Sequence, residues 1–230
     1  MTGTTVPNTD DWYHIFYTID GDAGEYKTYV NGWVENTETG TRTNDETDTA
    51  FVIGDAHWVN PSFNGLLDQV LVYDDVLTPT EVQTLYNADG AGLGDSTPDD
   101  SDLLAHYDFE QSGGTLEDQA NSNDGTNNGA VQVAGKIGSY AWELDGSNDY
   151  VLMPSGVLSG TGEFSFAFWT NSDVNSRPVI GFGSLGNNYW EIHRNGSDKF
   201  TYEDGSVSYT GSTSISSGTW YHVAVTKDSS

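Results

Sequence analysis

The sequence predicts an all-β sandwich with one short helix. Three observations carry that expectation. Short runs in which apolar side chains alternate recur along the chain, as in Phe164-Ser165-Phe166-Ala167-Phe168-Trp169, and a period of two is that of a strand. The chain has 27 Gly, suited to tight turns between short strands. Hydrophobic residues make up only 35%, yet 7 Trp, 13 Tyr and 9 Phe supply bulk for a core. At 230 residues this is one large β domain or two small ones.

The elements follow in order. Trp12-Tyr13-His14-Ile15-Phe16-Tyr17-Thr18 reads as a strand with Tyr13, Ile15 and Tyr17 on its core face. Glu25 to Val30 is its partner, followed by the hairpin signal Asn31-Gly32. Strands are expected next at 50–54 and 66–73. Thr78-Pro79-Thr80-Glu81 opens the helix: a Thr cap, Pro at the first helical position and Glu three residues after the Thr, with Val82, Leu85 and Tyr86 as one stripe. Two or three turns are marginal alone, so this helix must pack on strands. Residues 93–102 are small and acidic and read as a linker. A strand at 103–109 follows, then a Gly- and Asn-rich surface loop at 112–129. Further strands are expected at 141–145, 150–152, 164–169, 178–182, 189–194, 199–203 and 206–210.

The last strand, Trp220-Tyr221-His222-Val223-Ala224-Val225-Thr226, repeats the first at an offset of 208 residues, from position 12 to position 220. Four of the seven positions are identical. Such an overlap is expected of a piece cut from a tandem array, which also fits an N-terminus with neither basic nor apolar leader character.

Charge is the most unusual bulk property: 35 Asp+Glu against 7 Lys+Arg gives −28. Such a surface repels nucleic acid and anionic membrane, and no apolar run is long enough for membrane insertion. It is similar to the surfaces of halophilic proteins; an ordinary acidic secreted protein is the alternative. With no Cys, disulfides and thiolate chemistry are excluded.

Several stretches together resemble the laminin-G-like, concanavalin A-like jelly-roll family. They are Leu104-Ala105-His106-Tyr107-Asp108-Phe109-Glu110, Leu144-Asp145-Gly146-Ser147-Asn148-Asp149-Tyr150-Val151, the phenylalanine strand, the repeated Trp-Tyr-His strand, and Phe63-Asn64-Gly65-Leu66-Leu67-Asp68-Gln69-Val70-Leu71-Val72-Tyr73. The resemblance implies a jelly-roll β-sandwich with its halves in circularly permuted order: the back half at 1–92, the front half at 103–230. Neither half closes a sandwich alone, so one sandwich is expected, with 66–73 beside 104–109. The two copies of the repeated strand then compete for one slot. Residues 12–18 are expected to win it, since they run straight into their hairpin partner, leaving 220–226 at an edge.

The resemblance also implies structural calcium, with Asp68, Asp108 and Asp145 at the matching places. Asp68 draws notice by itself, because Leu66, Leu67, Val70 and Leu71 surround it, and a buried carboxylate needs hydrogen bonds or a cation. The alternative is an Asp that accepts backbone N–H bonds. For ligand binding, Trp190 and Ile192 face the core, which leaves Tyr189, Glu191 and His193 on the opposite, open face; Trp58 is a loop candidate. Asn195-Gly196-Ser197 is formally a glycosylation sequon and also a hairpin turn, the preferred reading. No closely spaced glutamate pair lies on one strand, and metalloprotease, esterase and phosphate-loop motifs are absent, so no catalytic residues are assigned. The resulting expectation is a non-catalytic carbohydrate-binding or adhesion module, secreted or on a cell surface. Its partners would be a glycan or surface protein and neighbouring repeat domains. A glycoside hydrolase (or an accessory domain of one) and a structural spacer are the alternatives.

Overall fold

The computed structural model describes residues 13–20, 25–30, 33–39, 51–55, 62–88, 100–157, 164–172, 177–184, 187–203, 208–211 and 213–227. Its strands are β1 (Tyr13–Asp20), β2 (Glu25–Val30), β3 (Trp33–Thr39), β4 (Phe51–Ile53), β5 (Asn64–Tyr73), β6 (Leu103–Tyr107), β7 (Thr115–Leu116), β8 (Gly125–Asn128) and β9 (Val131–Ala134). They continue as β10 (Tyr140–Asp145), β11 (Tyr150–Leu152), β12 (Phe164–Ser172), β13 (Arg177–Ser184), β14 (Asn187–Arg194), β15 (Phe200–Glu203), β16 (Ser208–Thr210) and β17 (Trp220–Lys227), with the helix α1 at Pro79–Ala88.

Two sheets form the sandwich. One runs β3-β2-β1-β17-β12-β5-β10-β9, with β6 also on β5; the other runs β16-β15-β14-β13-β4-β11-β8-β7. Both stretches of chain feed both sheets: β5 sits between β12 and β10, and β4 between β13 and β11. The strands from 13–73 are therefore interleaved with those from 103–227. As expected, β5 lies beside β6, with Val70 opposite Tyr107 and Leu71 opposite His106.

Alternation fixes the core. Phe164, Phe166 and Phe168 of β12 face Trp190, Ile192, Phe200 and Tyr202 across the gap between the sheets. Trp190 is the hub: its ring centroid lies 5.2 Å from those of Phe164 and Phe166 and 5.9 Å from that of Phe182. On the reverse face of β12, Ala167 packs with Leu77, just before α1, and with Val82 and Leu85 of α1, while Trp169 packs with Ile137, Ala141 and Trp220. The helix starts as its sequence predicts. Glu81 N–H donates to Thr78 Oγ1 at 3.4 Å and Thr78 N–H donates to Glu81 Oε2 at 2.6 Å, a reciprocal capping box.

The duplicated strand departs from expectation. β17, not β1, takes the slot beside β12, in eight antiparallel pairs from Phe164–Lys227 to Asn171–Trp220. Tyr221 and Val223 enter the core. β1 stacks outside β17 in parallel, each residue against its own copy: Tyr13 opposite Tyr221, His14 opposite His222, Ile15 opposite Val223. The winner thus sits deep in the sheet, and β1 carries β2 and β3 outward as the sheet's end. Tyr221 is anchored in that slot. Its ring packs edge-on against Phe200 at 6.2 Å, and its Oη accepts the N–H of Ser216 at 2.9 Å.

The stretch 112–129 is also not wholly loop, since β7 and β8 pair within it. Its composition conceals the strands because asparagine supplies the bonds around them: Asn127 Nδ2 donates to Ala130 O at 2.8 Å and Gly113 O at 3.2 Å. Strand β9 was likewise not anticipated, whereas β3 pairs with β2, Val30 opposite Trp33, as the hairpin signal predicts. The linker at 93–102 lies outside the described residues up to 99; Asp100–Asp102 form a single 3-10 turn.

Candidate functional site

Asp68 lies on β5 where the strand bulges. Its neighbour Gln69 has φ 50°, and the pairing with β12 slips between Ala167 and Trp169. The slip turns Asp68 away from the core, to which Leu67 and Val70 both belong. The carboxylate is nevertheless fully buried, beneath the loop that joins β9 to β10. Oδ2 accepts the N–H groups of Lys136 and Ile137, each at 2.8 Å, while Oδ1 has no partner. Burial pushes its pKa up to about 7; backbone N–H groups, those of Ile137 and Lys136 foremost, oppose that rise and the charge of Glu110 adds to it. Glu110 pins the same loop from the other side, Oε1 accepting from Ser139 N at 2.8 Å and Tyr140 N at 3.0 Å.

The other two aspartates expected to bind calcium serve their own turns. Asp145 Oδ1 accepts Ser147 N–H at 2.8 Å, and Asp108 Oδ1 accepts from Glu110 N at 3.2 Å and from Gln111 Nε2. Asp145 pairs with Asn64, four residues along β5 from Asp68, which puts the two roughly 13 Å apart at the rise of a strand. Calcium ligands converge at about 2.3–2.6 Å on one ion. Asp145 is therefore not brought to Asp68, whereas Asp108 follows Tyr107, which pairs with Val70 two residues from Asp68. A further carboxylate of this kind went unnoticed in the sequence: Asp118, nearly buried, accepts from His106 N at 2.9 Å and from Ala120 N and Asn123 N at 3.0 Å.

Among the described residues, donor atoms of the metal-ligating kind converge elsewhere, at Glu191, His193 and Glu203, all within 4.8 Å of one another. Glu191 and His193 share one face of β14, as alternation predicts, and Trp190 and Ile192 take the core face. Glu203 arrives by register: on β15 it lies directly opposite Glu191, while Gly181 of β13 stands on the other side without a side chain. His193 Nδ1 is 3.0 Å from Glu191 Oε1. This face is not open here, contrary to expectation. Glu191 is 9% exposed, its Oε2 has no hydrogen-bond partner, and His193 is recessed beside it. Trp58 lies outside the described residues, as does the side chain of Tyr189. The sequon is a hairpin turn, with Asn195 Oδ1 accepting from Ser197 N at 2.9 Å and Lys199 N at 3.2 Å.

One exposed aromatic was missed. Trp33, the first residue of β3 and opposite Val30 of β2, is 69% exposed, with Val34 open beside it. The available signal was its place directly after Asn31-Gly32, since side chains at a hairpin tip have little sheet to cover them.

The sequence profile of the concanavalin A-like lectin/glucanases superfamily matches residues 1–83 and 145–230, and the chain belongs to that superfamily. No curated protein and no solved structure matches it significantly. No helix among the described residues is long and apolar enough to cross a membrane.

Proposed function

We propose that this concanavalin A-like domain is a non-catalytic carbohydrate-binding or adhesion module of a secreted or cell-surface protein, and that Trp33 is its contact aromatic. The supporting observation is the exposure of Trp33, the most exposed large apolar side chain among the described residues. An indole left in water at the end of a sheet offers a flat apolar face to a sugar ring or to a partner's apolar side chain. The superfamily supplies the class of function, and the hairpin supplies a place for it. The 208-residue repeat supports a tandem array in which 1–92 and 103–230 are halves of successive repeats in permuted order.

One observation favours the glycoside hydrolase reading: Glu191 and Glu203 face each other across β14 and β15, and paired carboxylates are what glycoside hydrolysis requires. A glycan panel scored for both binding and release of reducing sugar separates the two. Trp33→Ala is expected to weaken binding to the best glycan by about tenfold or more, with an unchanged melting curve. Binding that survives the substitution removes Trp33 from the site. Sugar release that Glu203→Gln abolishes overturns the non-catalytic assignment.

A further inference from the structure

We propose that Glu191, His193 and Glu203 form a binding site for a divalent transition-metal ion of the zinc class. Two glutamates directly opposite each other on neighbouring strands repel, and where they are partly buried the repulsion is stronger than at an open surface. The fold holds them there beside a ring nitrogen, and Glu191 Oε2 is buried without a hydrogen-bond donor. A fixed buried carboxylate oxygen lacking a proton donor calls for a positive charge. His193 gives that oxygen no hydrogen bond. Its Nδ1 approaches Glu191 Oε1 to 3.0 Å but makes no aligned hydrogen bond, as two ligands turned toward a common third atom would.

The donor set selects the ion. One imidazole nitrogen and two carboxylates suit zinc and its neighbours, whereas calcium and magnesium take oxygen alone. Zinc holds such donors at about 2.0–2.2 Å, so ligand atoms on one ion stand roughly 3–4 Å apart. The 3.0 Å contact is already at that separation, and the widest spacing, no more than 4.8 Å, closes with a shift of about 1 Å. Three protein ligands leave at least one position on the ion for water or another ligand. The site stands independently of Trp33, which lies on the other sheet.

The test is calorimetric titration of the intact chain with zinc chloride in a non-chelating buffer, with excess calcium present to occupy the acidic surface. Wild type is expected to bind one zinc per chain, and Glu203→Gln and His193→Gln each to weaken it about tenfold or more. Absence of a saturable 1:1 event, or equal affinity in wild type and both variants, overturns the site. Zinc binding that appears only when the calcium is left out does so too, because it would show an oxygen-only set. If either variant misfolds, the ring-nitrogen resonances of His193 in the wild type decide: a shift at one equivalent of zinc supports the site, and unmoved resonances overturn it. Glycan binding by Trp33 can fail or succeed without changing any of these outcomes.

Discussion

Asp68 turns a cost of burial into a measurable pH response. Its carboxyl has a pKa near 3.8 in the unfolded chain and about 7 in the folded one, so the folded state holds its proton more firmly. Between those values the folded chain binds more protons than the unfolded, and the contribution of Asp68 to stability falls as pH rises from about 4 to about 7, then levels off. Each unit of the shift corresponds to about 1.4 kcal/mol. Asp68→Asn keeps an oxygen for the N–H groups of Lys136 and Ile137 and removes the titration. Urea unfolding from about pH 4 to about pH 8 should show the variant gaining on wild type through that window and holding a constant difference above it. Parallel stability curves would mean that the buried carboxyl does not titrate there.

At the scale of elements, the repeated strand shows how two near-identical segments divide unequal roles. β17 is closed into the sheet over about 50 residues from β12, whereas β1 would have to reach the same slot from about 150 residues away, a loop-closure difference of roughly 1 kcal/mol. In that slot Trp220 and Tyr221 pack on the two faces of the sheet. β1 then finds an unpaired edge whose side-chain pattern matches its own, and parallel in-register pairing sets like against like. Proline in each copy tests the division. Ala224→Pro removes a ladder donor from the strand on which the core closes and should destabilise by more than about 4 kcal/mol or prevent folding. Phe16→Pro breaks the same kind of ladder in β1, and should loosen only β1 to β3 and leave the near-ultraviolet circular dichroism of the aromatic core in place. Equal damage from both would mean that 13–20 shares the inner slot.

For the whole molecule, −28 is spread over one sandwich, and its self-repulsion is long-ranged in dilute buffer. The screening length falls from about 10 Å at 0.1 M salt to about 3 Å at 1 M. Molar potassium chloride should therefore raise the melting temperature above its value in dilute buffer. An unmoved midpoint would remove the support for a halophilic origin of the composition.

The elements written in local pattern were legible without the fold. Thr78 and Glu81 cap α1 because a capping box involves four consecutive residues, and Phe164, Phe166, Trp190 and Ile192 face inward because strand alternation is local. The β5–β6 pairing was legible one level up, through the resemblance and the need of each half for the other's strands. What depended on register was not. Glu203 joins Glu191 only because β15 pairs with β14 at one offset, and a slip of one residue would send it to the core face. Which backbone N–H groups reach Asp68 was decided by where the β9–β10 loop came down, about 70 residues along the chain. The sequence by itself determined the sandwich, its helix and its charge, since periodicity, capping and composition act over a few residues or over all of them. Tertiary structure alone decided which copy of the repeated strand is buried and which carboxylates converge, because both depend on long-range pairing among near-equal alternatives.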